Sequence, residues 1–375
     1  MKKNIHHLFR GKKIEPKKIK KNLKVTELIQ EHYQAYNAAR LNEACRLLTE
    51  KMLDKKRDVT IGLTLAGALT PAGMSGIFIS MMEAGFIDFI ISTGANLYHD
   101  LHFALNLPLR KGVFNIDDAQ LWDHGIVRIY DVFLETYTLL KTDYFQKEIL
   151  LKKDAPQGII STSKLHYYYG KVLLKRAPRP DISILAQAAK YDIPVYTSSP
   201  GDSSIGMDLA RLHKTLDERG MDIQINPSLD VIETTAIVMN AKENGAIILG
   251  GGSPKNFYMQ TQPMLWEVLG IKKGGHDYFV QITMDSPQWG GLSGATPSEA
   301  VSWGKINPNE LKNTVVVYSD ITLAVPLLFS YVLDKAKKRK HKRLYLKREI
   351  MIKKLRDAYL KNGGIDFMPE YLRKE

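Results

Sequence analysis

The stretch VTIGLTLAGALTPAGMSGIFISMMEAGFIDFIISTGAN (Val59–Asn96) decides the architecture. Its first segment, Val59 to Ala66, is apolar, rich in β-branched residues and free of charge, as a strand buried on both faces should be. A turn follows, and the pattern from Pro71 to Gly85 predicts a helix. Asp88 to Thr93 (DFIIST) reads as a second short strand, with another helix after Asn96. Strand, helix and strand in this order set two parallel neighbours in one sheet.

The same rhythm continues to the C-terminal side. Pro194 to Ser198, Ala246 to Gly250 (AIILG), Tyr278 to Thr283 (YFVQIT) and Thr314 to Ser319 (TVVVYS) read as further strands separated by helical stretches. Thr26 to Asp54 precedes them as a helix, and an apolar helix from Ile321 and a charged helix near Leu344 to Lys361 follow. The fold class is therefore α/β, a mostly parallel sheet with helices on both faces plus terminal helices. The organisation is a basic arm at 1–24, one large domain at 25–343 and a charged C-terminal helix and tail at 344–375.

A single cysteine, Cys45, precludes an intramolecular disulfide and suits a reducing, cytoplasmic compartment. The longest apolar run, Ile321 to Leu333, is shorter than the roughly 20 residues of a membrane span. The net charge of +13 is unevenly spread: Met1 to Lys24 carries 10 − 1 = +9 and Lys335 to Glu375 carries 15 − 5 = +10, leaving 13 − 19 = −6 for the rest. The tails read first as solubilising charge, and neither carries a nucleic-acid motif, so no nucleic-acid partner is expected. The acidic body suits a small cationic substrate.

Ligands of such sheets bind beyond the carboxyl ends of the strands. Four turns lie there: STGAN (Ser92–Asn96), SSPGDSSIG (Ser198–Gly206), GGGSPK (Gly250–Lys255) and the long GGLSGATPSEAVSWGK (Gly290–Lys305). None matches the dinucleotide or P-loop fingerprint, and tight turns take glycine for steric reasons alone. Several at successive strand ends favour a nucleotide cofactor, with Asp202 and Asp320 as acceptors for ribose hydroxyls. Lys305 lies among Ala300, Val301, Trp303 and Ile306. Desolvation there lowers a lysine pKa and frees an amine able to attack an imine carbon. Trp303 is suited to lie against a cation, and Glu299 to hold an ammonium or shuttle a proton. These residues alone leave the reaction open.

The segment GGLSGATPSEAVSWGKI, with IILGGG, STGAN, PGDSSIG and VYSDITLAVPLL, resembles the deoxyhypusine synthase family from about Val59 to Leu328. The variant turns and basic C-terminal helix resemble its bacterial deoxyhypusine synthase-like branch, related to homospermidine synthases. The resemblance implies a Rossmann-like homotetramer with active sites at dimer interfaces. It implies NAD-dependent transfer of a 4-aminobutyl group from spermidine, through a lysine imine, to an amine. By position, Lys305 matches the imine-forming lysine, and Glu299 and Trp303 match residues lining the amine site. Thr93, Asp202, Gly251, Gly252, Ser293 and Asp320 match positions that contact NAD.

The sequence also departs from the family. Asn256 stands at the catalytic histidine position, Leu292 replaces an aspartate, and Met207 another, with Asp208 adjacent. Tyr98 and His99 replace two acidic residues before Asp100. Asn256 and Asp208 are therefore expected on the substrate side, and His99, His276 or Asp208 as candidate compensations. Putrescine, giving homospermidine, is the expected acceptor. A lysine on a translation factor is the alternative within the same chemistry, and a non-catalytic NAD-binding regulatory paralogue the alternative outside it. No metal site is expected.

Overall fold

The computed structural model describes residues 11–216 and 222–368. Parts of the basic arm (1–10) and of the C-terminal tail (369–375) lie outside the described residues. The central sheet has six strands: β1 (Val59–Leu65), β2 (Phe89–Ser92), β3 (Val195–Thr197), β4 (Glu243–Leu249), β5 (Tyr278–Thr283) and β6 (Thr314–Tyr318). All pairs are parallel and the order is β6-β5-β4-β1-β2-β3. Read from the other edge, this is the doubly wound order 3-2-1-4-5-6, which reverses between β1 and β4.

Side chains along each strand alternate between two cores, as the pleat requires. Ile61, Leu63, Leu65, Ile247, Leu249, Val280 and Ile282 enter one. Phe89, Ile91, Ala246, Ile248 and Phe279 enter the other, on the opposite face. Strand β4 starts three residues earlier than its apolar run, at Glu243. Val59, Thr60 and Ile61 of β1 pair with Glu243, Asn244 and Gly245, so pairing overrides weak local propensity.

The expected N-terminal helix is two, Val25–His32 and Tyr36–Arg46, the second running on as a π-helical turn, Leu47–Met52. The break is held by Asn42, whose amide donates to the carbonyls of Ile29 and Tyr33 at 3.0 and 3.3 Å. Between β2 and β3 the chain inserts five α-helices (Gly94–Ala104, Asp118–Asp123, Thr136–Leu150, Thr162–Arg176 and Ile184–Lys190) and a small antiparallel sheet of Arg110–Lys111, Val132–Glu135 and Ile126–Ile129. The C-terminal helix Arg348–Lys361 packs against Pro227–Asn240 through buried Met351 and Leu355, with Leu344 beside them. Among the described residues no helix is long and apolar enough to cross a membrane.

Candidate active site

The reversal of strand order opens a crevice at the C-terminal ends of β1 and β4. Gly250, at φ 81°, turns the chain out of β4, and Gly251 brings it against the loop that follows β5. A Cβ on Gly251 would lie 2.4 Å from the Ser293 Cα, so only glycine permits this contact. The Gly252 amide then donates to Ser293 Oγ at 2.9 Å. On the β2 side, Thr93 caps the helix Gly94–Ala104 and donates to the Gly67 carbonyl at 2.6 Å. Gly94 leaves room for Ser203, next to Asp202, and the Ser199 and Ser253 hydroxyls meet at 3.2 Å. Asp320 caps the helix Ile321–Lys335 through the amides of Thr322 and Leu323.

Thr93, Asp202, Gly251, Gly252, Ser293 and Asp320 thus all lie on turns leaving this one edge of the sheet. Gly67 and Gly252 face open space, where an added Cβ meets nothing within 4 Å. Such a glycine-lined cradle, with helix N-termini and two carboxylates beside it, fits a dinucleotide such as NAD.

Next to the crevice lies a cavity of about 270 Å³ that gathers Lys305, Glu299, Trp303, Asn256, Leu292 and Lys255. Thr296 caps the short helix Pro297–Ser302 that carries Glu299, and Pro297 starts it. The chain then turns at Gly304, φ 65°, and delivers Lys305. The backbone of His276 brackets that lysine, donating to the Lys305 carbonyl at 2.9 Å and accepting from Asn307 at 3.2 Å. Lys305 Nζ donates to Asn256 Oδ1 at 3.1 Å and lies 5.4 Å from the centre of the Trp303 ring. Burial lowers the Lys305 pKa, and the Glu299 carboxylate opposes that shift. Glu299, Trp303 and Asn256 therefore stand with Lys305 in one cavity.

Lys255 is the site residue that sequence reading did not single out. Buried behind Lys305, its ammonium donates to Gln281 Oε1 at 3.1 Å and to the carbonyls of Ser293 and Ala295 at 3.2 and 2.7 Å. Burial, aided by the Lys305 charge, brings its pKa down to about 8 against the pull of Glu299 and Asp285. Gln281 also donates to the Gly250 and Ser293 carbonyls at 2.8 and 2.7 Å, tying the glycine turn to the Lys305 loop. The available signal was Gln281 itself, a polar residue inside the apolar strand YFVQIT.

Asp208 does not line this cavity. It is buried, paired with Arg211 at 2.7 Å and bonded to Gln146 at 2.5 Å, and burial beside Asp143 raises its pKa to about 7. One residue along a helix turns a side chain by about 100°, so Met207 is exposed while adjacent Asp208 is buried. The His276 ring packs against Tyr258 in the core, 4.7 Å between centres, and does not line the cavity. His99 packs against Tyr98 and His102. Asp100 caps the helix Ile184–Lys190, accepting from Ser183, Ile184 and Leu185. These side chains serve packing and capping, and none replaces a histidine beside Lys305. Among the described residues, no cluster of His, Cys, Asp or Glu is placed to hold a metal ion.

Fold and site together define a doubly wound α/β protein with a partly buried lysine beside a glycine-lined crevice. The deoxyhypusine synthase family profile matches residues 27–332. A deoxyhypusine synthase-like protein of Nostoc punctiforme is 49% identical, the match covering 93% of this chain and 90% of the relative. One of Thermosynechococcus vestitus is 45% identical over 92% of this chain and 88% of its own. The chain belongs to the deoxyhypusine synthase family. In fold it is similar to the crystal structure of a protein assigned as a deoxyhypusine synthase from Entamoeba histolytica, with a TM-score of 0.57 at 18% identity, covering 87% of this chain and 99% of that one.

Proposed function

We propose that this chain is an NAD-dependent transferase that moves a 4-aminobutyl group from spermidine, or a related polyamine, through an imine on Lys305 to a small amine. Putrescine, giving homospermidine, is the acceptor the altered wall supports best. The observation that carries this reading is the neighbourhood of Lys305 Nζ: a partly desolvated amine, an indole face at 5.4 Å and the Glu299 carboxylate, all in a cavity of about 270 Å³.

NAD, when bound, supplies oxidation of the donor at the carbon beside its secondary amine and later returns those electrons to the product. The chain's own residues do the rest. Glu299 and Trp303 attract and orient an ammonium head. Burial raises the neutral fraction of Lys305, whose lone pair attacks the oxidised carbon. The carbon–nitrogen bond to 1,3-diaminopropane breaks, and that amine leaves with a proton. The acceptor amine attacks the same carbon and releases Lys305 as a free amine. Asn256 cannot take up a proton at neutral pH, so its part is to hold Lys305 in line by the 3.1 Å hydrogen bond. Leu292 supplies apolar wall for a methylene chain.

Exposed Leu292 and Trp303 on the cavity support a further copy of the chain covering this mouth, as in a homotetramer with sites at dimer interfaces. The same open mouth is what favours the second reading, a lysine of a translation factor as acceptor. The test is incubation with NAD, spermidine and putrescine, followed by amine chromatography. Homospermidine is expected. Its absence, with product formed only on a protein acceptor, redirects the proposal to the second reading.

A further inference from the structure

The basic C-terminal stretch takes no part in the proposed chemistry, yet it walls a wide groove elsewhere on the molecule. A groove of about 930 Å³ runs beneath the N-terminal ends of β1 and β4, past Thr60 and Lys242. It is on the far side of the sheet from the crevice, roughly 20 Å away at about 3.3 Å per residue of β1. Nine Lys and Arg side chains line it against two carboxylates, Asp54 and Asp58, an excess of 9 − 2 = +7.

The groove wall is pinned in place. Residues 337–343 run without helix or strand beneath the sheet. Arg339 donates to the carbonyls of Gly85 and Val59 and pairs with Asp88 at 2.6 Å. His341 bonds the Met82 carbonyl at 2.8 Å and stacks on Tyr191, 4.3 Å between centres. Arg343 pairs with Asp192 at 3.1 Å. The alternate residues Lys338 and Lys340 are left exposed on the groove. The facing wall is the helix Arg348–Lys361 with Lys347 before it, where Lys347, Ile350, Met351 and Lys354 share a face.

Both arginines on the groove are occupied, and the free cations are all lysines. Arg57 is paired with Glu243, Arg339 with Asp88 and Lys342 with Asp58. Among the described residues no carboxylate pairs with Lys55, Lys242, Lys338, Lys340, Lys347 or Lys354. The available donors are thus lysine point charges, which suit phosphate oxygens, and not the planar arginine forks that grip carboxylates. No Phe, Tyr or Trp lines the groove, so nothing there stacks a nucleobase. Its concave shape focuses the positive potential and suits a compact ligand better than a flat bilayer.

We propose that this groove is a second ligand site, distinct from the Lys305 cavity, which binds a linear anion of closely spaced phosphates. The probe is inorganic tripolyphosphate, titrated calorimetrically into the full chain at low and at raised ionic strength. Binding that weakens with salt is expected. Lys338→Glu/Lys340→Glu, at exposed positions, lowers affinity on the order of tenfold or more through loss of attraction. Lys111→Glu/Lys153→Glu makes the same change in net charge at exposed residues outside the groove lining and leaves binding intact. No binding by the wild type overturns the proposal, as does equal loss in both double variants. Binding of duplex RNA that tripolyphosphate does not displace overturns it in favour of a nucleic-acid surface.

Discussion

Lys305 and Asn256 are joined by a 3.1 Å hydrogen bond, the lysine nitrogen donating to the side-chain amide oxygen. The lysine that the family resemblance marks as nucleophile is thus held by a group that can neither take up a proton nor carry charge. Its protonation is left to burial and to Glu299.

That arrangement gives a signed pH prediction. Burial lowers the Lys305 pKa and Glu299 opposes this, so formation of the lysine adduct rises with pH as the amine loses its proton. Asn256→Asp puts a carboxylate in the amide's place, favours the ammonium and moves the rising limb to higher pH. Glu299→Gln removes the opposing charge and moves it to lower pH. Single-turnover adduct formation at saturating donor, measured against pH, checks both. Movement of both limbs in one direction refutes the electrostatic account.

Lys255 gives a prediction about stability. Its pKa falls from 10.5 to about 8 on folding, mainly through burial. Between those values the unfolded chain holds more protons than the native one, so this group's contribution to stability rises with pH. The penalty is full below about pH 8 and is relieved toward pH 10.5, by about 3 kcal/mol at most. Lys255→Met removes that slope. Melting temperature against pH for both proteins should give a difference curve that declines over this window for the variant relative to wild type; parallel curves contradict it.

The glycine turn offers a contrast between neighbours. Gly251→Ala drives a methyl to 2.4 Å from the Ser293 Cα and forces apart the turn and the loop. We expect a loss of about 1–3 kcal/mol of stability, typical of overpacking, together with loss of NAD binding. Gly252→Ala meets nothing within 4 Å and carries about 1–2 kcal/mol of left-handed strain at φ 54°. Because the new methyl enters open space on the proposed NAD-binding turn, it should weaken NAD binding more than its small effect on melting suggests. Calorimetric titration with NAD beside a thermal melt tests this; unchanged NAD affinity in Gly252→Ala removes the cofactor from this turn.

The sheet was legible because its strands are short apolar runs buried on both faces, and their alternation with helices admits few topologies. The antiparallel strands between β2 and β3 were not, since Arg110 and Lys111 are exposed and the others lack a clean apolar alternation. The break at Tyr33 depends on Asn42, a side-chain contact that no local pattern announces. Lys305, Glu299 and Trp303 were legible because they are close together in one segment. The junction of Lys255, Gln281 and Ser293 was not, because it joins the ends of β4 and β5 through contacts between residues far apart in sequence. Asp208 lies outside the Lys305 cavity lining, and its position could not be read from Met207 because adjacency along the chain is not adjacency in space on a helix.

The measurement that tests the central claim most directly is borohydride trapping after incubation with NAD and spermidine alone, read by peptide mass spectrometry. The donor half-reaction needs no acceptor, so its outcome is independent of which amine is finally modified. We predict one added 4-aminobutyl group on Lys305, absent without NAD and absent in Lys305→Ala while that variant still binds NAD. An unmodified Lys305 in a protein that binds both NAD and spermidine contradicts the assignment of this lysine as the covalent carrier.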